Sequence, residues 1–182
     1  MLANLRALLG VIVDIILLRR GPEHVPASPA LLVAVTGVYA IGSALAANTF
    51  GPPESRWALE LGIAIGATLL WYGVALRTAG KPERFTQTMT ALFAVRAIFS
   101  PLLIPMVSTI MAQAKAEPPA PPSALGIVVL AVMVWVFVIN VRIVRSALEW
   151  PTAGAVLLVI AQELATFALF VMLFGLTAAP QT

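Results

Sequence analysis

The sequence predicts an all-α polytopic membrane protein: a bundle of five transmembrane helices preceded by an N-terminal interfacial amphipathic helix. Three observations carry this. Hydrophobic residues make up 60% of the 182-residue chain and charged residues 10%, with a mean hydropathy of +0.99, too apolar for a wetted globular surface. Several stretches lack charge over the roughly 20 residues that span about 30 Å of hydrocarbon. The basic residues gather at alternate ends of those stretches.

Leu2 to Leu18 opens the chain. Leu5, Leu8, Leu9, Ile12, Ile15 and Ile16 recur at helical steps, while Asn4, Arg6 and Asp14 interrupt and Arg19-Arg20 closes the run. That pattern suits residues 1–20 lying in the membrane interface. A cleaved signal peptide is the competing reading, opposed by the arginine pair where a small-residue cleavage site would stand. The prolines of Gly21 to Pro29 stop this helix, and the membrane domain, 21–182, begins there.

Five spans follow, at about 29–50, 57–77, 85–112, 124–144 and 151–176. The first holds no charge from Pro29 to Phe50, and Gly51-Pro52-Pro53 turns the chain into the second. Gly62 and Gly66 form a small-xxx-small face on the second span, read as ordinary helix packing. The third carries Arg96, Pro101 and Pro105, which predict a bent backbone. Pro118-Pro119 and Pro121-Pro122 stiffen the link from Lys115 to Ser123, a connector rather than a proline-recognition motif. Asn140 lies near the end of the fourth span, and Gln162 and Glu163 lie within the fifth.

Orientation comes from the basic residues. Arg6, Arg19, Arg20, Arg77, Lys81, Arg84, Arg142 and Arg145 fall on one side; Arg56 and Lys115 fall on the other. The positive-inside rule then places the N-terminus in the cytoplasm and the C-terminus outside. If Leu2 to Leu18 crossed as well, this pattern would contradict itself. The net charge of +3 is explained by phospholipid headgroups and topology, without nucleic acid.

Arg96 is the most informative residue, because a guanidinium inside an apolar span is costly unless something meets it. At about 1.5 Å per residue it lies roughly 12–18 Å from the basic loop, and Glu163 lies about 18 Å beyond Pro151. Asn140 and Tyr72 come to roughly 10 Å from the same interface. These depths predict an interior polar cluster of Arg96, Glu163, Gln162 and Asn140, with Tyr72 near it. Its first reading is structural, an ion pair that fixes which helix packs where. A proton or ion pathway, a lipid-headgroup or small-solute site, and an Arg96 snorkelling alone to the surface are the other readings.

Catalysis is not predicted. The chain has no cysteine and one histidine, His24, and lacks a Gly-rich phosphate loop, a nucleophile elbow or a carboxylate pair within one helical turn. No metal and no cofactor is implied. The expected partners are membrane lipids, other membrane proteins or a second copy of the chain.

Three segments resemble the Yip (Ypt-interacting protein) family of five-span membrane proteins. They are Arg20-Gly21-Pro22-Glu23 with Pro26, then Gly80 to Thr88 with Ala91-Leu92 and Ser100-Pro101, and Val132-Met133-Val134-Trp135 through Val141-Arg142. The resemblance covers residues 10–175 and implies a non-enzymatic membrane protein that binds partners or shapes membrane. Eukaryotic members use a longer cytosolic N-terminal region with Rab-type GTPases. This chain has about twenty residues there, the layout of a bacterial-type member. Two functions remain: a membrane-organising or partner-binding scaffold, or a small transporter or channel whose selective site is the polar cluster. The scaffold expects an Arg96→Met/Glu163→Leu double change to fold and keep activity; the transporter expects either single change to abolish flux.

Overall fold

The computed structural model describes residues 2–50, 56–115 and 124–174, apart from the side chains of residues 2–5 and 7. The Gly51-Pro52-Pro53 turn, the proline-rich link beyond Lys115 and the C-terminal tail lie outside the described residues. Among the described residues six α-helices follow one another: α1 (Leu2–Ile16), α2 (Pro29–Phe50), α3 (Trp57–Thr78), α4 (Phe85–Lys115), α5 (Ala124–Leu148) and α6 (Thr152–Phe174). Among the described residues there is no β-strand. The last five helices are each long and apolar enough to cross a membrane. At 15 residues, α1 extends about 22 Å, short of the roughly 30 Å of hydrocarbon.

Local chemistry sets the helix ends. Ser28 caps α2 by accepting a hydrogen bond from the Leu31 amide at 3.3 Å, with Pro29 in the first turn, where its missing N–H costs nothing. The end of α3 turns on Gly80 at φ +71°, a left-handed conformation in which the Lys81 amide reaches back to the Leu76 carbonyl at 2.8 Å. A single 3-10 turn, Pro82–Arg84, leads directly into α4. Two ends use non-glycine residues in the left-handed region, Leu18 after α1 and Glu149 after α5. The predicted bend in the third span does not break it, since α4 runs as one helix through Pro101 and Pro105.

Around the bundle, α2 packs along α4, α4 against α5, α5 against α6, α6 against α3, and α3 back against α2. α4 also touches α3 and α1, so its first half forms the centre. Thr88 through Val95 are all buried, on every face of the helix. A helix buried all round must be uncharged and must satisfy its own polar groups. The Thr88 and Thr90 hydroxyls do so by donating to the Arg84 and Thr86 carbonyls one turn back.

α1 docks on α4 and α5 through Ile12 and Ile15, while Leu9, Val13 and Leu17 point away from the bundle. The Gly62/Gly66 face departs from the expected packing role. Both glycines are exposed, and a Cβ added at either would meet nothing within 4 Å. α3 instead turns Thr68, Tyr72, Ala75 and Leu76 inward, which rotates the glycine stripe to the perimeter.

Candidate functional site

Arg96 follows directly on the buried half of α4, so its Cα is fixed by the best-packed part of the molecule. Its guanidinium donates from Nη1 to the Thr68 hydroxyl on α3 at 2.7 Å and places Nη2 3.7 Å from Glu163 Oε1 on α6. The guanidinium carbon lies 6.0 Å from the centroid of the Phe93 ring, one turn back on its own helix. Thr68 in turn donates to the Ala64 carbonyl at 2.7 Å. One arginine thus ties α4 to α3 and α6.

Exposure divides the predicted cluster. The Arg96 side chain is 15% exposed and that of Glu163 56%, so the acid sits on the bundle's perimeter with one edge turned inward. Gln162, one residue earlier and about 100° around the helix, is the inward residue at 2% exposure. Its Nε2 donates to the Thr166 hydroxyl at 3.1 Å, while its Oε1 is buried without a partner. Tyr72 is buried one turn beyond Thr68, within electrostatic reach of both Arg96 and Glu163. Asn140 is buried on α5 with Oδ1 unpartnered and makes no hydrogen bond to Arg96 or Glu163. The five predicted residues therefore resolve into a charged pair, Tyr72 beside it, and two amides that stand apart.

Two features escaped the sequence reading. One is Thr68, whose place four residues before Tyr72 puts both on one face of a helix. The other is a polar network that gathers the α1–α2, α3–α4 and α5–α6 connections at one end of the bundle. There Arg84 donates to the Ser146 and Ala147 carbonyls at 3.1 and 3.2 Å, which the end of α5 leaves without helical partners. Glu149 pairs with both Lys81 and Arg84. Gln87 donates to the Val25 carbonyl at 2.8 Å, and the Ser146 hydroxyl donates to Glu23 Oε2 at 2.8 Å. Gly21 makes this approach possible, because a Cβ there would lie 2.6 Å from the Ser146 hydroxyl.

Hydrogen bonds from Lys81 and then Arg84 hold the Glu149 carboxyl below its ordinary value of 4.5. A depressed folded value means that the ionised group stabilises the fold above 4.5, and that this gain is lost as pH falls through the lower, folded value. The carboxylate is exposed, so salt screens the effect. Thermal unfolding in detergent at low ionic strength should show wild type above Glu149→Gln at neutral pH and the two converging in acid. A gap unchanged into the acid range would contradict the pairing.

A largely apolar groove of about 570 Å3 opens between α3 and α6, with Trp71, Trp150, Leu158, Gln162 and Leu169 in its walls. The Trp71 indole N–H is buried there without a hydrogen-bond partner. Among the described residues no three His, Asp or Glu side chains come together as metal ligands. No family model, curated protein or solved structure matches the chain.

Proposed function

We propose that the chain is a non-enzymatic scaffold of a bacterial inner membrane, organising the membrane or binding other membrane proteins through the outer faces of its bundle. The observation that carries this reading is that Arg96 has its partners within the chain: Thr68, Glu163 and the face of Phe93. A guanidinium so engaged acts as a pin between three helices. The outward surface is then the part left to act, including the apolar side chains Leu9 and Val13 of α1 and Leu17 just after it, which suit insertion into the cytoplasmic leaflet. The order of a short N-terminal helix before five apolar helices, which resembles the layout of the Yip family, agrees with the same reading.

A photocrosslinking residue placed at Val13, Leu45 or Phe167 tests it, since all three point outward. In native membranes at least one position should give a discrete adduct, retained in the Arg96→Met/Glu163→Leu variant. Adducts absent at every position would contradict the scaffold.

One observation favours a transporter as the second reading. A cavity of about 400 Å3 containing Glu60, Ser43 and Ser100 opens toward the other end of the bundle, and Ser100 is one helical turn beyond Arg96. On that reading, reconstituted liposomes pass an ion or solute, and Arg96→Met stops the flux while the protein stays folded. No flux across a broad panel removes it.

A further inference from the structure

At the end of the bundle where the polar network lies, a cavity of about 520 Å3 is walled by five arginines: Arg19, Arg20, Arg84, Arg142 and Arg145. Two carboxylates, Glu23 and Glu149, share the wall with His24. The lining therefore carries a net charge of +3 with the histidine neutral. These charges are unevenly engaged. Arg84 is held by Glu149 and the end of α5, and Arg20 by Asp14 at 3.1 Å. Among the described residues Arg19, Arg142 and Arg145 form no ion pair. Arg142 and Arg145, three residues apart, share one face of α5, and Arg19 also lines the cavity. Like charges gathered around one space repel, and an anion between them reverses the sign. Guanidinium forks match the paired oxygens of a phosphate.

The neighbourhood of the cavity decides which phosphate. Trp150 lines both this cavity and the apolar groove between α3 and α6. From Thr78 to Ala67 the groove follows α3 for roughly 16 Å into the span, the scale of an acyl chain. Trp71 lines the same groove about 10 Å in from Thr78 on the same count. A tryptophan at the join is the residue type that favours the boundary between headgroup and hydrocarbon.

We propose that this end of the bundle is a binding site for an anionic phospholipid, with the phosphate among Arg19, Arg142 and Arg145 and one acyl chain along the α3/α6 groove past Trp150. The site depends on the protein being embedded in membrane and is independent of the scaffold reading.

The test uses the full chain in a neutral detergent, titrated with phosphatidylglycerol or phosphatidylcholine and read by native mass spectrometry and thermal unfolding. Phosphatidylglycerol should be retained preferentially and raise the melting temperature. At about fivefold per arginine, the Arg142→Gln/Arg145→Gln double variant should lose roughly 25-fold of that preference. Arg77→Gln, at the same end but outside this cavity, should keep it. Trp71→Phe should weaken retention of both lipids alike, because it alters the groove and not the charge. Equal retention of the two lipids by wild type overturns the proposal even if the double variant does not fold. Stabilisation by inorganic phosphate or glycerol phosphate equal to that by the lipid overturns it too, since the groove would then contribute nothing.

Discussion

Replacing Arg96 with methionine should destabilise the bundle by about 3 kcal/mol, because Glu163 would be left without its ion-pair partner and Thr68 would lose the guanidinium it accepts from. Glu163→Leu should cost a similar amount, leaving a guanidinium that is 15% exposed with Thr68 as its hydrogen-bond acceptor. The two changes should not add. With both charges removed, the Arg96→Met/Glu163→Leu protein should unfold within about 1 kcal/mol of wild type, since apolar replacement of an ion pair held out of water is often neutral or stabilising. Thr68 keeps its bond to the Ala64 carbonyl in every variant and creates no new orphan. Denaturation in mixed micelles measures all four corners of the cycle. A double variant as unstable as the sum of the singles would mean that the residues act separately.

Phe93→Ala should be comparably damaging, for a different reason. The ring is fully buried where α2 crosses α4, stacks on Tyr39 at 5.8 Å between centroids, and lies beneath the Arg96 guanidinium. In water-soluble proteins such a truncation costs about 3–5 kcal/mol, part of it transfer free energy and part the cavity left behind. Lipid is as apolar as the bundle interior, so the transfer part shrinks and the packing part remains. An expected loss of about 2–4 kcal/mol follows. Phe93→Leu should recover most of it in the same assay. Equal losses for leucine and alanine would mean that the ring's volume is not what α2 and α4 pack against.

Axial position was readable from the sequence, and azimuth was not. Depth accumulates at a fixed rise per residue, so counting from Arg84 and from Pro151 brought Arg96 and Glu163 to one level, and they lie 3.7 Å apart. Which face of a helix turns inward depends on its neighbours, and an apolar span gives little guidance when lipid and core favour the same residues. Hence Gln162 is the buried member of its pair while Glu163 sits at the perimeter, Asn140 stands apart from the charges, and the Gly62/Gly66 stripe faces out. The start of a helix was clear where proline marked it, as at Pro29. The end of α5 was not, because Glu149 adopts a left-handed conformation without being glycine or asparagine and makes its ion pairs with residues some 65 positions earlier.

We propose that the five apolar helices cross the bilayer with the arginine-rich end of the bundle on the cytoplasmic side. The chain contains no cysteine, so single cysteines can be introduced and labelled without background. Ser28→Cys, Ala79→Cys and Ser146→Cys mark the basic end; Arg56→Cys and Gln113→Cys mark the other. In intact cells an impermeant maleimide should label the second group alone and reach the first after the membrane is opened. Labelling of Ala79→Cys in intact cells to the same extent as Gln113→Cys would contradict the account.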